Sequence, residues 1–237
     1  MSRIFLIFLL FFLPPTGKDI VQRMYYHFGG KWYHTFTFNQ TTDIYRDDTL
    51  HIQQTWYEFV RFPDRFRMDF GDADSGNAAI FRGDSCYRFH NGRLRSATIN
   101  NNEGLIFLLG GMYFYPLDQT LHILSDSLHF DLNRMHEDSY ENRPVYVIGA
   151  DKGDTITNQL WVDQEKMFLV RMIRSSIGQT MDARFEAYKP FGMGWSPMTC
   201  KFYINGRLVQ VETYHDCRAD VELDNRIFDP SKLVHSH

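Results

Sequence analysis

The chain has 237 residues and a formal net charge of −4 at pH 7, with acidic and basic residues interspersed. A mildly acidic chain without a Lys/Arg block lacks the electrostatic footprint of a nucleic-acid binder and of polybasic attachment to anionic lipid. Its 43% apolar content, with 21 Phe and 13 Tyr, excludes a disordered or low-complexity chain.

The first residues read as an export signal. Arg3 supplies the positive start, residues 4–13 are an apolar run of h-region length, and Pro14-Pro15 breaks the run. Residues 1–17 are expected to be removed, with cleavage loosely near Thr16 to Lys18, leaving 18–237 as one exported domain. No cysteine follows the run, so no lipid-modified N-terminus is expected. A short helix is predicted near residues 19–28, and strand patterns follow. Residues 32–45 alternate, with Trp32, Phe36, Phe38 and Ile44 in one phase and mostly Thr, Asn and Asp in the other. Residues 50–62 hold Leu50, Ile52, Trp56, Val60 and Phe62 in phase. Residues 65–70 set Phe66, Met68 and Phe70 against Arg65, Arg67 and Asp69. A strict two-residue turn at Pro63-Asp64 places Trp56 and Phe66 on opposite faces. A bulge or three-residue turn buries both aromatic sets together, and amphipathic economy favours it. Residues 77–83 and 85–90 are two more strands, and Asn91-Gly92 signals a type I′ hairpin into 93–99.

Residues 104–116 then form an uninterrupted apolar segment. It is too short to cross a bilayer, which needs about 20 residues, and too apolar all round to lie with one face in water. Pro116 ends it, and residues 117–128 carry Leu117, Leu121, Leu124 and Leu128 at helical spacing. Gly110-Gly111 reads either as the junction of two helices, since Gly favours a C-terminal cap, or as the hinge of a movable lid. A polar loop is expected over 133–143, then strands at 144–150, 157–163, 167–174, 180–188, 198–204 and 207–214. The order of strands, a helical insert at about 103–130, and more strands points to a mainly β fold with a helical insert (α+β). It implies one strongly curved antiparallel sheet, apolar on one face, with the insert as its cover.

No catalytic motif appears. The ten histidines fall at no metal-ligand spacing, and the pair His129 and His136 reads as a solvated loop. Residues 71–76 superficially resemble a calcium loop, but Gly83 stands where the twelfth-position carboxylate belongs. There is no Gly-x-Ser-x-Gly elbow and no phosphate-binding glycine loop. No cofactor and no metal are therefore expected. Three cysteines allow at most one disulfide. A two-residue turn at Asn205-Gly206 sets Cys200 opposite Val211, away from Cys217, so three buried free thiols are expected. The aromatic surplus either fills a core or lines a residual cavity able to hold an acyl chain. The candidate lining is Phe36, Phe38, Trp56, Phe62, Phe66, Met68 and Phe70 from the strands, with Leu105, Phe107, Leu108, Met112 and Phe114 from the insert.

The order of elements resembles that of the LolA/LolB-like periplasmic lipoprotein carriers, which are unclosed β-barrels covered by a helical lid. Local matches are Phe38-x-Gln40, the strand–proline–strand segment 55–70, the hairpin segment 83–91, Leu160-Trp161-Val162-Asp163 and Phe228-Asp229-Pro230. The resemblance implies a soluble periplasmic protein that binds lipid or lipoprotein acyl chains without covalent chemistry. It further implies membrane-bound donor and acceptor proteins as partners. One departure matters: where the carrier keeps a lid-latching arginine before the proline, this chain has Phe62, and Arg61 points to the other face. Two rival readings are an outer-membrane β-barrel and an enzyme working in the sheet's concavity. Arg67, Asp69, Arg184 and Glu186 stand in the less apolar phase, which suits water rather than the lipid-facing belt of a barrel. Deep polar side chains in the concavity would favour the enzyme.

Overall fold

The computed structural model describes residues 14–99 and 104–233. The apolar run at 4–13, on which the export-signal reading rests, lies outside them. Helix α1 (Gly17–Phe28) starts at a capping box: the Thr16 hydroxyl accepts from the Asp19 amide, and the Asp19 carboxylate accepts from the Thr16 amide at 2.7 Å. Its buried stripe is Ile20, Val21, Met24 and Phe28, the spacing of one helical face.

Six strands follow: β1 (Thr35–Arg46), β2 (Thr49–Arg61), β3 (Arg65–Phe70), β4 (Ala78–Arg82), β5 (Ser85–His90) and β6 (Arg93–Ile99). After the insert come β7 (Met135–Tyr140), β8 (Arg143–Ile148), β9 (Gln159–Asp163), β10 (Leu169–Ser176) and β11 (Gln179–Glu186). The chain continues through a small hairpin, β12 (Lys189–Phe191) and β13 (Gly194–Ser196), and ends with β14 (Thr199–Ile204) and β15 (Arg207–Ala219). All but β12 and β13 form one sheet of 13 strands in the order β6-β5-β4-β3-β2-β1-β15-β14-β11-β10-β9-β8-β7. The sheet does not close, and its two edges, β6 and β7, are the strands on either side of the insert.

The turns follow from local chemistry. Asn91-Gly92 and Asn205-Gly206 have positive φ at both residues, as a type I′ hairpin requires. Across the cis Phe62–Pro63 bond, Arg61 pairs with Arg65 and Val60 with Phe66, so the turn has three residues and Trp56 shares a face with Phe66. Two strand assignments differ from the sequence reading. Residues 135–140, expected as polar loop, form edge strand β7, and 189–196 form the separate hairpin. A register shift after Phe202 sets Cys200 opposite Glu212 rather than Val211. Cys86, Cys200 and Cys217 are free, but Cys217 is only half-buried.

Alternation divides the core. The concave face carries the main cluster, including Phe36, Phe38, Val60, Phe66, Ala79 and Phe185, packed under α1 and the insert. Out-of-phase residues form two smaller clusters, one of which joins Ala78, Ile80 and Phe89 to Leu233. The outer face near β3 is not left to water. Arg61 and Arg67 donate to the carbonyls of Leu223 and Ile227, and Arg65 to the Asn225 side chain. The Arg67 guanidinium also forks the buried Asp69 carboxylate at 2.9 and 3.0 Å. These arginines hold the C-terminal segment flat on the sheet, and Phe228 is sealed beneath it at 1% exposure. Arg184 and Glu186 are likewise paired, with Asp182 and Lys201.

Candidate apolar cavity

The insert crosses the open side of the sheet as a strap. It comprises α2 (Leu105–Leu108), a 3-10 turn Gly111–Phe114, α3 (Leu117–His122) and a π-helical turn Ile123–Ser127. Gly110 joins the first two pieces with φ 153°, and a Cβ there would lie 2.4 Å from Trp32 Nε1 and 2.8 Å from the Phe62 ring. Close packing thus explains the first glycine of the pair. Phe62 stacks on Phe114 of the strap at 5.6 Å, with ring planes 7° apart. Arg61 points away, as the register implied. An aromatic stack therefore occupies the position before the proline.

Between strap and sheet lies a cavity of about 360 Å³, within the lower part of the range for ligand pockets. Leu105, Ile106 and Leu109 roof it. Phe36 and Phe38 of β1, Phe66 and Met68 of β3 and Phe81 of β4 line one wall. Met181 and Phe185 of β11 and Phe202 of β14 line the other. Ser196 and Pro197, at the end of the β12–β13 hairpin, close one side. That hairpin is seated by Phe191 edge-on to Phe36 at 5.0 Å and by the Tyr33 hydroxyl, which donates to the Trp195 carbonyl at 3.3 Å.

Of the twelve candidates read from sequence, Phe36, Phe38, Phe62, Phe66, Met68 and Leu105 line this cavity. The other six do not. Trp56 packs edge-on against Phe70 at 4.8 Å, in phase with the lining but further along the strands. Phe107 packs beside Tyr115, Leu108 and Met112 are buried in the core, and Phe114 backs Phe62.

Sequence reasoning missed a polar group in the wall. Glu58 of β2 and Glu212 of β15 both line the cavity, 5% and 9% exposed. Glu58 is flanked by Phe38 and Met68 on the adjacent strands. Glu212 accepts from Gln210 Nε2 at 2.6 Å and from the Tyr214 hydroxyl at 2.9 Å. Cys200 Sγ donates to the same hydroxyl oxygen at 3.3 Å. Gln40, the glutamine of the Phe-x-Gln match, is fully buried, donates to Thr42 Oγ1 at 2.8 Å, and lies close enough to favour the ionised form of Glu212. Burial pushes the Glu58 carboxyl well above the usual range, and the Glu212 charge adds to this. Burial also raises Glu212, against the donors Tyr214, Gln210 and Gln40. The one signal for Glu58 was its position, a glutamate in the apolar phase of Trp56 and Val60. No group of three or more His, Cys, Asp or Glu among the described residues is placed to hold a metal ion.

Neither a protein-family model nor a curated protein matches the sequence. Solved structures do match by fold. A DUF1329 family protein from Desulfovibrio piger is 13% identical with a TM-score of 0.64, over 92% of this chain and 97% of that one. A putative outer membrane lipoprotein-sorting protein domain from Vibrio parahaemolyticus is 11% identical with a TM-score of 0.60, over 92% and 98%. A LolA superfamily protein from Nitrosomonas europaea is 14% identical with a TM-score of 0.56, over 91% and 98%. At these identities the likeness shows the fold: an unclosed, LolA-like β-barrel with a helical insert. The fold implied by the sequence motifs is the fold observed.

Proposed function

We propose that this chain is an exported, non-enzymatic binding protein that holds the apolar chain of a lipid, or of a lipid-modified protein, between sheet and strap. The observation that carries the reading is the cavity itself, walled by Phe36, Phe38, Phe66, Met68, Phe185 and Phe202 and roofed by Leu105, Ile106 and Leu109. Each buried methylene contributes about 0.8 kcal/mol, and a wall of this kind reads chain length only weakly. The similar solved structures, one a LolA superfamily protein and one a putative lipoprotein-sorting domain, support a carrier role. The apolar run at 4–13 supports placement in the periplasm; in this proposal the chain acts there as one domain spanning 18–237, with membrane-bound donor and acceptor proteins as partners.

Organic extraction of the purified protein followed by mass spectrometry is expected to release lipid, and a fluorescent acyl probe is expected to bind and be displaced by it. Leu109→Asp places a charge in the roof, and its expected effect is about a tenfold or greater loss of probe affinity. A protein that yields no lipid and binds no acyl probe would sink the reading.

Glu58 and Glu212 support a second reading, an enzyme using a carboxyl pair as acid and base. Against it, no histidine among the described residues lines the cavity, the Ser196 hydroxyl donates to the Pro197 carbonyl, and the Cys200 thiol donates to the Tyr214 hydroxyl. Hydrolysis of a long-chain ester or glycoside that is lost in Glu58→Gln would favour the enzyme over the carrier.

A further inference from the structure

We propose that the cavity selects an amphiphile with an ammonium head, which Glu58 and Glu212 hold beneath the strap; this rests on the lipid-binding reading above. Glu58 is 95% buried and faces the cavity, yet no hydrogen bond or ion pair from the described residues reaches its carboxyl. Its cross-strand neighbours are Phe38 and Met68, and Trp56 and Val60 flank it in phase on its own strand.

Glu212 differs, since Gln210 and Tyr214 donate to it at 2.6 and 2.9 Å. Burial and the Glu212 charge favour a protonated Glu58, while the donors on Glu212 favour its ionised form. The pair therefore keeps one negative charge, best placed on the doubly hydrogen-bonded Glu212. A buried charge is ordinarily balanced by a counter-ion, and no cationic side chain among the described residues pairs with this one. Among the described residues Arg88 of β5 is the one Lys, Arg or His in the lining; it is exposed, and its charge lowers neither carboxyl. The other titratable groups facing the pair are Tyr33, Tyr214 and Cys200, all kept protonated by burial.

An anionic head would meet the charge on Glu212, and a neutral head would leave it unbalanced. An ammonium supplies both the counter-charge and up to three donors. Glu58 and Glu212 are its acceptors, and behind them the amide oxygen of fully buried Gln40 also lacks a partner. Glu212 supplies the negative charge and protonated Glu58 its carbonyl oxygen, so the site with its ligand is neutral and amine affinity rises with pH as Glu212 ionises.

The test is competition against the acyl probe by dodecylamine, dodecanol and dodecanoate. Dodecylamine is expected to bind about tenfold or more tightly than dodecanol, the range of a charge-assisted hydrogen bond, and dodecanoate most weakly. Lysophosphatidylethanolamine against lysophosphatidylglycerol asks whether the ammonium belongs to a phospholipid. A preference for the amine in either pair supports the proposal. Glu58→Gln and Glu212→Gln, each checked for folding by near-UV circular dichroism, are expected to bring the amine-to-alcohol ratio to about one. Equal affinities for amine and uncharged or anionic partners in both pairs, or a preference that survives both substitutions, overturns it while leaving the carrier reading intact. If none of these amphiphiles binds, the carrier reading fails and this proposal fails with it.

Discussion

Glu58 is a cost that folding bears, and the cost depends on pH. The unfolded chain ionises this carboxyl near 4.5, whereas the folded protein holds the proton to higher pH because burial and Glu212 oppose the charge. The raised folded value means that its stabilising contribution is complete below the unfolded pKa and is lost as pH rises through the folded one. The ligand-free protein should therefore lose thermal stability over the pH range above 4.5 in which Glu58 ionises, and Glu58→Gln should lose less over the same range. Thermal unfolding across that range checks this, and parallel curves for the two proteins would count against it. Gly110 is constrained by space instead. An alanine there collides with Trp32 and Phe62, both buried, and Gly110→Ala should destabilise by about 1–3 kcal/mol in urea unfolding. The same sterics show why one residue type was legible and another was not. A glycine pair in an apolar run announces a junction, while a lone glutamate in an apolar phase looks like an ordinary lapse in the alternation.

At the level of elements, most strands were legible because burial on one face imposes a period of two, and the Asn-Gly turns mark where strands reverse. Strand β7 escaped because it is an edge, and Met135-His136-Glu137-Asp138-Ser139-Tyr140 offers no apolar phase. The β12–β13 hairpin escaped because three-residue strands are too short to show a period. The cavity was half legible for a related reason. Alternation reports which face a side chain takes but not how far along the strand the strap reaches, so Trp56 and Phe70 share the phase of Phe66 without sharing its surroundings. The C-terminal segment was legible only as the Phe228-Asp229-Pro230 match, and its role lies in the outer face. Phe228→Ala should cost about 3–5 kcal/mol, as for other fully buried phenylalanines, and should release the segment that Arg61, Arg65 and Arg67 hold. Urea unfolding, together with hydrogen exchange at residues 221–233, checks both parts.

For the whole molecule, charge and composition excluded classes of partner, whereas topology decides how a ligand is enclosed. The strands before the insert run outward from β1 to one edge, and those after it run inward from the other edge to β15. Two links between the halves are the β1–β15 ladder, where Gln40 pairs with Tyr214 and Thr42 with Glu212, and the strap. The first link is hydrogen-bonded and the second is covalent, and the cavity lies between them. The molecule is thus a belt with a buckle of peptide bonds, and opening the buckle should not part the halves. A protease site built into the exposed turn at Asp126 and Ser127 should yield two fragments that elute together in buffer and separate only in denaturant. If they hold together, each half is a complementation partner for the other, and a binding protein of this shape can be assembled from two separately made chains.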